Sequence, residues 1–431
     1  MGLTSIEWLR TYLKDGSYVS GFSANGWIGC SQADPSCNLC YAERMDNRFK
    51  RTPEGWGKGK PRLYNENFAK SVHQLERKAK RDNIRYKVFL FSVADLFDQE
   101  VPDEWRARTF EVIRDCPHLD FLCLTKRIEH VQPFMDKHPE FFADNRMPPN
   151  VWLGTSLGRN KERWRILELA KIKAKIRFLS LEPMIGPIDL LNGNGTVGDF
   201  EELDESSPYF NSVILSSAVG QPREWTCCPA CQGVRYRQVD PYVENCPECG
   251  GLGQAIHWII TGGESGPSFK GKKPRPTHPL WFDEIQEFCD DFGIAYFHKQ
   301  NGYWTPFDDS SGLSSLLDTT PEEFDKAVRR CWTLWTDGSF EKGDHAHLKK
   351  SGDPVLMHPT LKKKLSGRLL GGCEYNEQPD TFFRHYDLYS RSYYAEWRGL
   401  NNAPAVIKAV AEYESCAAQV ADELRGCDEG D

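Results

Sequence analysis

Six short apolar runs, each ending in polar residues and most followed by a helix-like stretch, constrain the fold of this chain more than any other feature. They read KVFLFSVADLF (87–97), LDFLCLTKR (119–127), VWLGTSL (151–157), KIRFLSLEPM (175–184), HWIITGGESG (257–266) and IAYFHKQNG (294–302). Between them lie helix-like segments at 64–82, 104–115, 161–174 and 280–291; in the last, Trp281, Ile285, Phe288 and Cys289 recur on one face. Strands that are apolar throughout and alternate with helices imply a parallel sheet covered on its outer face. The expected class is α/β, a partial or closed β/α barrel of the TIM-like kind in preference to an open doubly wound sheet. The polar residues gather at the carboxyl ends of the runs: Ser92 and Asp95, Thr125 and Lys126, Thr155 and Ser156, Glu182, Glu264 and Ser265, His298 and Lys299. In a barrel those ends line one mouth, where chemistry is built. Any one of them is explained by entry into a loop; six strands ending this way, with three carboxylates and two lysines among them, point to a site.

The alternation defines residues 1–302 as one domain, interrupted at 192–255 by an insertion that begins glycine-rich and acidic and ends in cysteines. Residues 303–431 form an aromatic, irregular C-terminal extension, with one helix expected at 401–420 and an acidic tail, DELRGCDEGD. No stretch reaches the ~18 apolar residues of a membrane span. The N-terminus, MGLTSIEWLRTYLKDGSY, lacks the basic head and apolar core of an export signal. The expectation is a soluble protein of the cytoplasm, with no membrane partner.

Fifteen cysteines in such a chain do not suit a disulfide framework, because cytosolic thiols stay reduced. Two groups have ligand spacing. Cys30, Cys37 and Cys40 form C-x6-C-x2-C in NGWIGCSQADPSCNLCYAERM, between a short apolar segment and a helix-like stretch. Three thiolates suit a zinc site lacking one ligand or a [4Fe–4S] cluster with one iron open. Zinc wants four ligands, and the nearest histidine in sequence is His73. An open iron is what binds the amino and carboxylate groups of S-adenosylmethionine and cleaves it to a 5′-deoxyadenosyl radical. Cys228, Cys231, Cys246 and Cys249 form C-x2-C-x14-C-x2-C, two knuckles that indicate structural zinc, with an auxiliary cluster as the alternative. Arg235, Tyr236 and Arg237 between the knuckles are placed to touch a phosphate backbone, or the ribbon merely staples a long loop.

The motifs GWIGCSQADPSCNLCYAERM, FSVADLF, LCLTKR, VWLGTSL, FLSLEPMIGPI, WIITGGESGP, HPLW and AYFHKQNG occur in that order over residues 21–302. The chain thereby resembles the phage Gp37/Gp68 family, the three-Cys-motif, DUF5131-type proteins related to radical S-adenosylmethionine enzymes. The resemblance implies a radical-SAM-type barrel with Cys30, Cys37 and Cys40 on the cluster. The spacing departs from the commoner C-x3-C-x2-C, and the aromatic usual before the last cysteine is here Leu39, with Tyr41 one place after it. By strand-end position, Ser92, Thr155, Ser156 and Glu182 are candidates to hold S-adenosylmethionine, and Lys126 and Glu264 to hold the substrate. For Glu264, helix capping is the competing role. Gly262 and Gly263 suit a close backbone approach.

The chain carries a net charge of −8, so nucleic acid would need a local basic patch. Residues 41–87 hold 14 Lys/Arg against 6 Asp/Glu, with Trp56, Tyr64 and Tyr86 interleaved, and FKGKKPRP (269–276) adds to the charge. This suits a polyphosphate strand, or a solvated helical face at 64–87. The reading that results is a radical enzyme that modifies a base in DNA or a nucleotide, drawing on a reducing electron donor. The family context narrows it to isomerisation of a glycyl-substituted thymidine in phage DNA hypermodification. The alternatives are a non-catalytic zinc protein that binds nucleic acid, and a radical enzyme acting on a peptide or small metabolite.

Overall fold

The computed structural model describes residues 1–13, 16–190, 256–292, 294–306, 330–342, 353–359, 368–370 and 373–379, and the backbone of 236–239 and 242–245. Its centre is an eight-stranded sheet in the order β1 (Gly2–Leu3), β2 (Phe22–Ala24), β3 (Tyr86–Leu90), β4 (Leu119–Thr125), β5 (Val151–Ser156), β6 (Ile176–Met184), β7 (Trp258–Gly263), β8 (Ala295–Gln300). All neighbours pair in parallel except β1, which runs antiparallel to β2. The six apolar runs supply β3 to β8. Spatial order follows chain order without the reversal that marks a doubly wound sheet, and β1 and β8 are edges not paired with each other. The helices are α1 (Tyr41–Phe49), α2 (Phe68–Asp82), α3 (Asp103–Asp115), α4 (Val131–Lys137), α5 (Trp164–Lys171) and α6 (Pro279–Phe292). Two segments expected to be helical begin later: Leu63–Tyr64 pairs as a strand with Trp27–Ile28, and a 3-10 turn precedes α5.

Alternate residues of each strand enter two separate cores. Val88, Phe121, Leu153, Leu179, Ile259 and Tyr296 pack under the helices. Leu122, Trp152, Phe178, Trp258, Ile260 and Phe297 pack on the other face with Trp8 and Leu9 of the 3-10 turn Glu7–Leu9. The second face is strongly concave. Trp8 touches Phe89 of β3 and Trp258 of β7, with ring centroids 5.0 and 6.2 Å away. In a flat sheet, strands four places apart lie roughly 19 Å from one another at the ~4.8 Å strand spacing. One indole bridges them only because the sheet curls around it. Gly154 makes room in this inner layer: a Cβ there would meet the Phe178 ring at 2.5 Å. Each buried aromatic of the layer contributes about 2–3 kcal/mol through apolar burial.

The C-terminal extension is more ordered than its sequence suggests. It holds an antiparallel sheet of Trp304–Pro306, Pro354–Pro359, Trp332–Trp335 and Phe340–Lys342, in that spatial order. A later segment runs along the β8 edge, where His298 N donates to Tyr375 O at 3.1 Å and Glu377 N to Tyr296 O at 3.1 Å. From there it reaches the N-terminal turn, where Arg368 pairs with Glu7 and Gln378 Nε2 donates to Trp8 O at 3.4 Å; Gln378 Oε1 accepts from the buried Lys87 ammonium of β3. The segment thus satisfies an otherwise open strand edge. In the insertion, Tyr236–Val239 pairs antiparallel with Tyr242–Asn245 between the two cysteine pairs. Cys228, Cys231, Cys246 and Cys249, the 401–420 helix and the acidic tail lie outside the described residues. No helix among the described residues is long and apolar enough to cross a membrane.

Candidate active site

The first cysteine group sits on a loop above the strand ends. Cys30 follows the short strand Trp27–Ile28, Cys37 lies in the 3-10 helix Pro35–Leu39, and Cys40 is the N-cap of α1. Asp34 starts the 3-10 helix: its carboxylate accepts from Ser36 N at 2.7 Å, and Pro35 occupies the first helical position. Burial pushes the Cys30 thiol up, Asp95 adds to this, and Arg127 opposes it. Burial also pushes Cys40 up, against the N–H groups of Glu43 and Ala42 at the start of α1. The Cys37 sulfur lies close enough to raise both neighbours electrostatically.

The raised Cys30 and Cys40 thiols stay protonated unless a strong electrophile such as a metal takes them. Among the described residues, no three His, Cys, Asp or Glu side chains converge to hold a single metal ion. Three thiols on one loop, with N–H donors at two of them, are the donor type that an iron–sulfur cluster with one open iron takes.

Cations from three later segments clamp the loop. Arg165 of α5 donates to Asp34 at 2.7 Å and to Ser156 O at 2.8 Å. Lys126, just past β4, bonds Ser36 Oγ and lies 3.5 Å from Asp34. Arg275, from the segment after β7, donates to Pro35 O at 3.0 Å while gripping Glu264 at 2.5 and 2.9 Å. Burial works against the Asp34 charge, but Lys126, the Ser36 hydrogen bond and Arg165 outweigh it and hold the carboxyl at about 2. Next to Lys126, Arg127 bonds Ser31 O and Oγ at 2.8 and 2.9 Å, Asp95 at 2.9 Å, and Cys30 Sγ at 3.6 Å.

Below the loop, inner-facing positions form a polar rim. Ser156 and Ser180 pair across β5 and β6, and Glu182 follows two residues later. Glu182 Oε1 accepts from Lys299 Nζ at 2.6 Å and from Gln300 Nε2 at 3.2 Å. Gln300 Nε2 also donates to Ser265 Oγ at 3.0 Å, whereas its Oε1 is buried with no partner among the described residues. A Cβ on Gly262 would press on the Glu182 carboxylate at 3.1 Å. The close approach at Gly263 is by the Asn301–Gly302 backbone.

The candidates divide by face. Ser156 and Glu182 belong to the rim. Thr155, one residue from Ser156, points to the helix side, fully buried, and donates to Thr125 O at 2.9 Å. Ser92 Oγ accepts from Asn25 at 3.2 Å, and its carbonyl accepts from Tyr41, the residue after Cys40. Lys126 and Glu264 are both engaged in holding the cysteine loop. Arg127, Asp34, Arg165 and Arg275 were not singled out from sequence. Only Asp34 carried a local signal, an Asp-Pro helix start.

The basic region also divides. On and beyond α2, Lys78 pairs with Asp82, Lys80 with Glu76 and Arg85 with Asp120, the pattern of a solvated helix face. Arg62 is buried on Asp98 at 2.7 Å. The end of α1 differs: Arg48 and Arg51 flank the ring of Phe49 at 5.3 Å each, and Phe49 is 54% exposed. The 268–275 segment straps alongside, with Lys270 on Glu43, Lys272 on Asn38 at 2.7 Å and Pro267 O accepting from Arg44 at 3.1 Å.

A family model described as a protein of unknown function (DUF5131) matches residues 4–379. No curated protein and no solved structure matches the chain. The matched span extends beyond residues 21–302 at both ends, taking in the Glu7–Leu9 turn and the segment along β8.

Proposed function

The chain belongs to the DUF5131 family, and we propose that within it this protein is a radical S-adenosylmethionine-type enzyme that modifies a nucleic-acid base. One observation carries the reading: the loop bearing Cys30, Cys37 and Cys40 is pinned by Arg165 and Arg275 over the carboxyl ends of a curled parallel sheet, where barrel-type enzymes build their sites. Cys30, Cys37 and Cys40 would hold a [4Fe–4S] cluster. When bound, that group supplies one-electron reduction of S-adenosylmethionine and, from it, an alkyl radical able to abstract hydrogen.

The chain's own part is binding, orientation and exclusion of water. Glu182 accepts an ammonium or ribose hydroxyl, Lys299 offers a cation to a carboxylate, and Ser156 lies on the same rim. Gln300 Oε1, buried and without a partner among the described residues, is an acceptor ready for a ligand donor. The aromatic inner layer closes the floor beneath the rim and keeps water out. Phe49 between two guanidinium groups provides a stacking face with flanking charge, which suits a nucleic-acid strand. The narrower reaction, isomerisation of a glycyl-substituted thymidine, rests on the family resemblance alone. A four-cysteine zinc site at Cys228, Cys231, Cys246 and Cys249 remains part of the proposal.

The test is anaerobic reconstitution with iron and sulfide, then dithionite and S-adenosylmethionine. About four irons per chain, lost in Cys30→Ala, with 5′-deoxyadenosine released, is the expected result. Zinc alone, with no 5′-deoxyadenosine, would favour the non-catalytic binding protein.

A further inference from the structure

Of the cations around the cysteine loop, Arg127 alone reaches a cysteine sulfur among the described residues. Its guanidinium is spread over three partners. Nη1 lies 3.6 Å from Cys30 Sγ and 2.9 Å from Asp95 Oδ2, while Nη2 donates to Ser31 O and Oγ at 2.8 and 2.9 Å. The pair is shielded, with side chains only 10% and 8% exposed for Arg127 and Asp95. Asp95 is itself fixed by Thr125 Oγ1 at 2.7 Å, Phe97 N at 3.0 Å and Lys126 N at 3.1 Å. The result is a rigid charge relay of sulfur, cation and anion, anchored to the end of β4 and the turn after β3. Lys126 and Arg165 hold the same loop through Asp34 and Ser36, away from the cysteine sulfurs.

We propose that Arg127 is a positioning residue that sets the reduction potential of the iron–sulfur site through Cys30, with Asp95 as the counter-charge that moderates it. This rests on the reading of Cys30, Cys37 and Cys40 as cluster ligands. Cluster potentials respond to hydrogen bonds at the ligand sulfurs and to nearby net charge. A guanidinium donating to the Cys30 sulfur favours the reduced, more negative cluster; the carboxylate behind it opposes that. Removing each partner must therefore move the potential in opposite directions. A purely structural role for the pair gives no such antisymmetry, since either loss loosens the same loop.

The experiment uses the full chain, reconstituted anaerobically with iron and sulfide, as wild type, Arg127→Gln, Arg127→Lys and Asp95→Asn. Iron per chain is measured together with the midpoint potential from an EPR-monitored redox titration. The expected result is iron content near wild type, a more negative midpoint for Arg127→Gln, an intermediate one for Arg127→Lys and a more positive one for Asp95→Asn. Midpoints equal to wild type, or shifts of the same sign in Arg127→Gln and Asp95→Asn, overturn the inference. If Asp95→Asn does not fold, the order wild type, Arg127→Lys, Arg127→Gln decides it. A wild-type chain that takes up no iron removes the cluster reading and this inference together; one that takes up iron but shows unmoved midpoints removes the inference alone.

Discussion

His298 offers a quantitative test of how the end of β8, which carries Lys299 and Gln300, is held. The ring is fully buried, with Nδ1 2.9 Å from Thr261 Oγ1 and Nε2 2.8 Å from Asn301 Oδ1. Burial is the main cause that lowers its pKa to about 4; the Asn301 hydrogen bond opposes this and Arg368 adds to it. The ordinary value is 6.5, so the unfolded chain binds a proton that the folded chain refuses between those two values. The stabilisation is whole above pH 6.5 and is lost as pH falls toward 4. The full loss is about 3 kcal/mol at ~1.4 kcal/mol per unit, and about 2 kcal/mol of it has gone by pH 5. Urea unfolding of wild type and His298→Gln at pH 8, 6.5 and 5 isolates this contribution, because other groups titrate alike in both. The wild type should lose about 2 kcal/mol more than the variant between pH 8 and pH 5. Parallel pH profiles would refute the argument that a neutral, desolvated ring holds this strand end.

Three further expectations address the site and its floor. Asp34→Asn keeps the cap shape but removes the charge shared by Lys126 and Arg165; with a folded value about 2 against 3.8, it should cost about 2 kcal/mol at pH 7 in chemical denaturation, an advantage the wild type loses as pH falls through 3.8 toward 2. Gly154→Ala forces a methyl against the Phe178 ring and should cost about 1–3 kcal/mol, read as a lower denaturation midpoint with an unchanged m-value. Lys299→Met removes the cation on Glu182, and calorimetry should show S-adenosylmethionine binding weakened by about tenfold or more with iron content unchanged; unaltered affinity would remove Lys299 from the binding rim.

The parallel sheet was legible in the residues alone, and so was the placing of Cys30, Cys37 and Cys40 on one loop. Short, mostly apolar runs alternating with helical patterns mark the strands of a covered parallel sheet, and the spacing of cysteines along eleven residues is a local property. Three matters came only with the assembled fold. Which strand-end residues share a mouth depends on pleat phase: Ser156 and Glu182 face inward while Thr155, one step away, faces the helices. What Lys126 and Glu264 do depends on partners distant in the chain, Ser36 and Arg275, which no periodicity announces. The closing of the open edge depends on residues 368–370 and 373–379, which pair with β8 and reach the N-terminal turn. Local pattern fixes what a segment becomes; which side chains meet is settled by curvature and register, and these arise only when the whole sheet wraps around Trp8.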